Sequence, residues 1–206
     1  MPRKIKLTRP ELKRHRDALT RYDRYLPMLK LKQQQLQMAV RDAIARRVAA
    51  ARALDLINQT IDRYEPVFAD RAGIPLDNWA RPQERTTSTR NVAGVEVAIL
   101  DRVSFPSVRY SLFATPPWVD QALADLRERS WRQEVVTALQ EEEQLLRQSL
   151  TRIIQRVNLF EKVMIPHARN AIRVIRISLG DERTAAVGRA KIAKSKLAAT
   201  LAAGDE

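Results

Sequence analysis

Apolar side chains recur along the first third of the chain at alternating steps of three and four residues. From Leu12 the spaced positions are His15, Leu19, Tyr22, Leu26, Leu29, Gln33, Leu36, Val40, Ala43, Arg47, Ala50, Leu54, Ile57, Ile61 and Tyr64. One narrow stripe sustained over so many heptads is a coiled-coil seam, because a 3.5-residue repeat keeps the same face turned to a partner helix. At 1.5 Å per residue, a helix over residues 8–65 is about 85 Å long. Thr8 followed by Glu11 forms a capping box, and Pro10 falls in the first turn, where its missing N–H has no intrahelical acceptor. Pro27 removes a bond inside the helix and crowds the turn before it, so a bend is expected near residues 23–27. The heptad phase runs straight through that position.

Pro66 ends the first stripe, and a short helical turn is expected around Pro66 to Ala72. Residues 67–91, with Gly73, Pro75, Pro82 and a polar run from Glu84 to Asn91, read as an exposed connector. The period then changes to two. Val95, Val97 and Ile99 alternate with Glu96 and Ala98, and Val108, Tyr110 and Leu112 alternate with Arg109 and Ser111. These segments are expected to form two strands of a β-hairpin, with Asp101 to Ser107 between them. An isolated hairpin is marginal in water, so it must lean on the helices or on a partner.

A second long stripe follows Thr115, with Pro116 tolerated at the helix start. It reads Val136, Leu139, Glu143, Leu146, Leu150, Ile153, Val157, Phe160, Met164, His167, Ala171, Val174 and Ser178. Pro166 is expected to kink this helix, and Gly180 and Gly188 weaken its far end. Two helices of similar length, each with one apolar stripe, bury those stripes against each other. The expected fold is mainly α: a long antiparallel two-helix coiled-coil hairpin with a small central β-hairpin insert. Its parts are a first helix over 8–66, a connector and insert over 67–114, and a second helix over 115–198. The seam is assigned to Leu12, Leu19, Leu29, Leu36, Leu54, Ile61, Leu139, Leu146, Leu150, Ile153, Val157, Phe160, Met164 and Val174.

Charge adds a polarity to this plan. The net charge is +13 over 206 residues. Residues 1–65 carry sixteen Lys and Arg against seven acids, residues 66–146 nine against twelve, and residues 147–206 twelve against five. Folding back on itself would bring the two basic segments together at one end, which suits an anionic partner: nucleic acid, a membrane surface or an acidic protein cavity. Cysteine is absent, so neither a disulfide nor a thiolate ligand is available. No apolar run is long enough to cross a membrane, and no secretory signal precedes the first helix.

Candidate chemistry is sparse. Neither a P-loop nor a G-x-G-x-x-G pattern occurs, which argues against nucleotide binding by this chain. The two histidines, His15 and His167, occupy seam positions, and packing accounts for them better than metal or proton chemistry. No cofactor is expected. Glu141, Glu142 and Glu143 point in different directions around a helix and read as a solvated face rather than an acid–base pair. Arg47 and Glu143 each interrupt a seam, as register-fixing polar residues do at a cost in stability. Whether they pair with each other depends on a register that spacing alone leaves open. The basic clusters fit a nucleic-acid arm only in charge, since no docking element accompanies them.

The segment from Arg156 to Leu179, with Arg156-Val-Asn-Leu-Phe-Glu and Val163-Met-Ile-Pro at its centre, resembles the most recognisable stretch of the family of V-type ATPase D subunits. Thr8-Arg-Pro-Glu-Leu12 resembles that family's opening, and Asn91-Val-Ala-Gly-Val95 the start of its central hairpin. The resemblance covers most of residues 5–196. It implies a non-catalytic central rotor shaft, transmitting torque between the catalytic A and B subunits and the membrane ring. The implied partners are that A/B hexamer, the small F subunit of the stalk and the funnel-like subunit above the ring, with neither nucleic acid bound nor the membrane entered. The implied location is cytoplasmic and peripheral to the membrane. Arg169, Arg173, Arg176 and Arg183 become candidate contacts to the hexamer cavity. Val95, Val97, Ile99, Val108, Tyr110 and Leu112 become candidate contacts to the stalk partner. The alternatives carried beside this reading are a basic coiled-coil nucleic-acid binder and a structural adaptor.

Overall fold

The computed structural model describes residues 5–64, 66, 74–111 and 115–202, with side chains as far as Lys196. The chain is mainly helical, with two long helices packing together and a small antiparallel β-hairpin between them in sequence. Helix α1 spans Arg9–Asp62, α2 Leu76–Trp79, α3 Trp118–Leu159 and α4 Ile165–Ala202. Strands β1 (Glu84–Val92) and β2 (Val95–Ser104) form the hairpin, and a π-helical turn, Phe160–Met164, separates α3 from α4. The chain divides into two compact units, Lys32–Ile153 and the pair of segments Met1–Leu31 and Ile154–Glu206.

Helix α1 is uninterrupted across Pro27. Its start differs from a reciprocal capping box. The Leu12 N–H donates to the Thr8 carbonyl at 3.0 Å, while the Glu11 carboxylate turns forward to His15 and Arg14, at 3.6 and 3.7 Å. None of its 3-4 stripe positions from Leu12 to Tyr64 is exposed, and Leu36, Val40, Ala43 and Ile61 are buried.

In the unit Lys32–Ile153, an apolar cluster forms where the end of α1, the short α2 and the start of α3 meet. Ile61, Leu76, Ala80, Val119, Leu123 and Leu126 are its buried members, and Tyr64, Trp79, Tyr110 and Trp118 pack against it. The ring of Trp79 stacks on Tyr110 at 5.5 Å. Arg127 ties the connector down. It donates to the carbonyls of Trp79 at 3.2 Å and Pro106 at 2.7 Å, with its guanidinium over the Phe105 ring. The expected turn over Pro66 to Ala72 falls almost wholly outside the described residues.

The hairpin lies earlier in the chain than its period-two signal implied. Val95, Val97 and Ile99 are in β2, as expected, but their partner strand is the polar run Glu84–Val92. Arg90 pairs with Val97 and Arg85 with Val103. Val108 and Tyr110 lie outside any strand, and Leu112 is outside the described residues. The physical reason is the turn. Ala93 and Gly94 both take positive φ, 50° and 76°, the sense of a type I′ two-residue connection that matches strand twist. The Gly94 N–H also donates to the Asn91 side-chain oxygen at 2.8 Å. With one face open to solvent, β1 needs no apolar alternation, and its Thr and Arg side chains suit an exposed strand.

In the other unit, the late segment carries the core. Ile165, Ala168, Ala171, Ile172 and Ile175 are buried, and Tyr22 meets Phe160 edge to face at 5.2 Å. The expected stripe through Met164, His167 and Val174 is displaced by one residue, with Ala171 alone remaining on it: Met164 and Val174 are half-buried and His167 is exposed. The π turn accounts for the displacement. Across it the Ile165 N–H reaches back to the Phe160 carbonyl, so one extra residue enters the turn and every later side chain rotates forward. Pro166 sits immediately beyond, where its lack of an N–H disfavours a regular α ladder. Replacing Ile165 (6% exposed) with alanine should therefore cost about 2–5 kcal/mol. The same change at Val163 (54% exposed) should stay within about 0.5 kcal/mol. Urea unfolding followed by helical circular dichroism checks both, and equal costs would contradict the shifted phase.

Candidate functional site

Arg46 and Arg47 are adjacent on α1, and Glu142 and Glu143 are adjacent on α3. Neighbouring helical residues point about 100° apart, so each doublet reaches two sides of its helix contact. Arg47 Nε donates to Glu143 Oε2 at 2.7 Å, and Arg46 Nη2 to Glu142 Oε1 at 2.9 Å. Arg147 Nη2 closes on the other oxygen of Glu143 at 2.7 Å. The pairing of Arg47 with Glu143 settles the register left open by spacing. A solvated glutamate face is not what forms: Glu142 is 3% and Glu143 8% exposed, and only Glu141 faces solvent. Two buried carboxylates are tolerable because each accepts from two guanidinium groups, and among the described residues no buried side-chain N or O lacks a hydrogen-bond partner.

The β-hairpin joins this cluster from the side. Arg90 Nη2 reaches Glu142 Oε1 at 3.3 Å, the same oxygen that Arg46 engages. Arg85 reaches Glu141 at 2.9 Å and Glu134 at 3.4 Å. Val97 and Val103 are buried on the same hairpin. Arg85 and Arg90 are an odd number of residues apart, which in a regular strand turns them to opposite faces. The register shift between Thr86 and Thr87 adds local twist, and both reach α3.

At the opposite end of the same unit, two tyrosines clasp α3. The Tyr64 hydroxyl donates to the Asp125 carboxylate and the Tyr110 hydroxyl to Asp120. Burial, then the bond to Asp125 and its negative charge, push the Tyr64 phenol above its ordinary 10.0. The bond to Asp120, followed by burial, pushes Tyr110 up as well. A phenol whose folded value is raised lends stability that is fully present below pH 10 and is lost as pH rises past it. The loss of stability above pH 10 should be smaller in Tyr64→Phe than in the parent chain, measured by urea unfolding between pH 8 and 11. Identical profiles would remove Tyr64 from the account.

Of the assigned seam residues, Leu36, Ile61, Leu146, Ile153 and Val157 are buried. Leu12, Leu19, Leu29, Leu54, Leu139, Leu150, Phe160, Met164 and Val174 are half-buried. Arg169, Arg173, Arg176 and Arg183 are all exposed. The first three, with Arg16, rim a shallow groove floored by Leu19, Ile172 and Ile177. Beyond them, residues 180–196 of α4 are exposed on every side. His15 and His167 face each other with ring centroids 6.0 Å apart. Among the described residues, no group of three or more His, Asp or Glu could hold a metal ion, and no helix is long and apolar enough to cross a membrane. Sequence reasoning missed Glu142, Arg46, Arg85 and Arg90. The only available signal was the match of an Arg doublet on one seam to a Glu run on the other.

Comparison with known proteins agrees with this layout. The family model for ATP synthase D subunits matches residues 11–195. The V-type ATP synthase D subunit of Borreliella burgdorferi is 37% identical over 201 residues, covering 94% of this chain and 95% of the relative. That of Chlamydia muridarum is 37% identical over 202 residues, covering 96% and 98%. The Chlamydia pneumoniae protein of the same description is 32% identical over 209 residues, covering 98% and 97%.

Proposed function

The chain belongs to the family of ATP synthase and V-type ATPase D subunits, central-stalk components of rotary ATPases, and from that premise we propose that it is the shaft that carries torque. The observation that supports this most directly is the family match over residues 11–195, laid on two long helices that pack together. Torque needs a stiff element whose two helices cannot slip, and the paired ions Arg47–Glu143 and Arg46–Glu142 supply resistance to axial sliding beyond what apolar packing gives. The chain itself performs no bond chemistry in this reading. Hydrolysis or synthesis of ATP belongs to the catalytic A and B subunits.

The basic end formed by Arg169, Arg173, Arg176 and Arg183 enters the hexamer cavity, where exposed guanidinium groups meet polar surfaces without a deep lock that would stop rotation. The hairpin contacts the small F subunit of the stalk through Val95 and Ile99, which remain half-exposed, whereas Val97 is already committed to packing within the chain. Val108, half-buried outside the strands, is a further candidate contact, whereas Tyr110 is already packed on Trp79 within the chain. The funnel-like subunit above the membrane ring is the third partner. The complex holds the chain at the cytoplasmic membrane face without inserting it.

Reconstitution tests the reading. Catalytic A and B subunits, the small stalk partner and the membrane sector are assembled in vesicles with and without this chain, and ATP-driven ion uptake is followed. Uptake should require the chain and should fail when it is omitted. Uptake of equal rate in its absence, with the other subunits assembled, would rule out a shaft role.

A further inference from the structure

Glu142 is 3% exposed, yet its Oε1 accepts from two cations on two different elements: Arg46 of α1 at 2.9 Å and Arg90 of β1 at 3.3 Å. We propose that Glu142 is a positioning residue that fastens the β-hairpin to the helix pair, making the hairpin an arm that detaches when that carboxylate is neutralised. This goes beyond the shaft reading and does not depend on it. Among the described residues, no backbone–backbone hydrogen bond joins the hairpin to a helix. The attachment is made by side chains: the Arg90–Glu142 pair, the more exposed Arg85 pairs to Glu141 and Glu134, the apolar Val97 and Val103, and Lys32 of α1, whose ammonium lies against Gly94 in the turn.

The electrostatics make the joint conditional. Two guanidinium groups bonded to one oxygen are like charges held at close range, and only the carboxylate between them makes the arrangement favourable. Without it Arg46 repels Arg90, an effect that solvent reduces because the two side chains are 42% and 48% exposed, and the hairpin opens more often than loss of one bond alone would cause. Glu143 does different work one residue on. Its partners Arg47 and Arg147 both lie on the long helices, so it bears on helix register and not on the arm.

A two-stranded hairpin without support is marginal in water, so detachment exposes its ladder to hydrogen exchange. Amide exchange over residues 84–104 is therefore measured in the full chain, with helical circular dichroism confirming that each variant is folded. Glu142→Gln should speed hairpin exchange about tenfold, equivalent to about 1.4 kcal/mol. Arg90→Gln should speed it less, because it removes the bond without creating repulsion. The double variant Arg46→Gln/Glu142→Gln should exchange more slowly than Glu142→Gln alone, since the repelling cation is gone. Glu143→Gln should leave hairpin exchange within about twofold of the parent while amides of α3 exchange faster. Unchanged hairpin exchange in Glu142→Gln would overturn the proposal. So would a double variant that exchanges as fast as or faster than Glu142→Gln, because simple loss of packing and bonding predicts that order.

Discussion

Replacing Glu143 with alanine is expected to lower the stability of the helix pair by about 1.5–3 kcal/mol, since the residue removed is buried while its partners Arg47 and Arg147 keep 31% and 58% of their side chains in solvent. The carboxylate accepts from Arg47 and Arg147, both at 2.7 Å, and it lies in the seam rather than at its edge. Its removal leaves the Arg47 guanidinium partly desolvated, without a counter-ion and near a second cation. A companion variant separates the cost of orphaning from the worth of the pair. Arg47→Met/Glu143→Leu fills the same space with apolar atoms, and replacing a buried ion pair in this way is commonly neutral or stabilising. The double variant should therefore recover most or all of the lost stability, while its register becomes less tightly specified. Urea unfolding reads the first effect. Spin labels at the exposed positions Met38 and Leu145 read the second, as a broadened distance distribution in a chain that has no native cysteine. An alanine variant as stable as the parent would show that water, not the helix contact, solvates this glutamate.

The two stripes were legible because a coiled-coil seam is a one-dimensional signal: the spacing that names Leu36, Val40, Ala43 and Ile61 also dictates which face they turn to a partner. Failure began where geometry stopped being uniform. A π turn at Phe160–Met164 inserts one residue's worth of rotation, and spacing measured on a regular helix then points to Met164 and His167 instead of Ile165 and Ala168. Pro166 was the available warning, since a residue without an N–H must be accommodated somewhere in the preceding turn. The hairpin itself was legible through Val95, Val97 and Ile99, but its first strand was not, for a different reason. Strand β1 has one face in solvent and makes its inward contacts with arginine, so hydrophobic alternation, the usual evidence for a strand, is absent from Glu84 to Val92. The turn at Ala93-Gly94 held the information in the form of backbone permissiveness. Ion pairs were legible only in part. Arg47 and Glu143 stood out as interruptions of apolar seams, whereas Glu142 sits off the stripe and becomes buried through the approach of the hairpin, an event that no local pattern encodes.

A chain ending at Ser178 should assemble with its partners yet lose most ATP-driven ion transport, if the basic end carries torque into the catalytic hexamer. The deletion removes Leu179 to Glu206, which includes Arg183, Arg189, Lys191, Lys194 and Lys196. Residues 180–196 are exposed along their whole length, so the buried set Ile165, Ala168, Ala171, Ile172 and Ile175 keeps every one of its members. Stability should accordingly change little, and urea unfolding of the truncated chain should fall within about 1 kcal/mol of the parent. A solvent-exposed helix of this length has little reason to persist on propensity alone, since helical stability in proteins comes mainly from packing of an apolar face. Val187 and Ile192 are exposed on it, 57% and 58%, among cations. Loss of that surface should leave hydrolysis running while ion uptake per ATP falls several-fold, because the hexamer would turn over without gripping the shaft. The charge reversal Arg173→Glu/Arg176→Glu, which retains the helix, should produce a smaller loss that varies with ionic strength, as exposed charges are screened over about 8–10 Å at physiological salt. Ion uptake and phosphate release are measured together on vesicles reconstituted to equal assembly yield. Full uptake per ATP by the truncated chain would place the torque-bearing contact before Leu179 and return the terminal basic segment to a role other than drive.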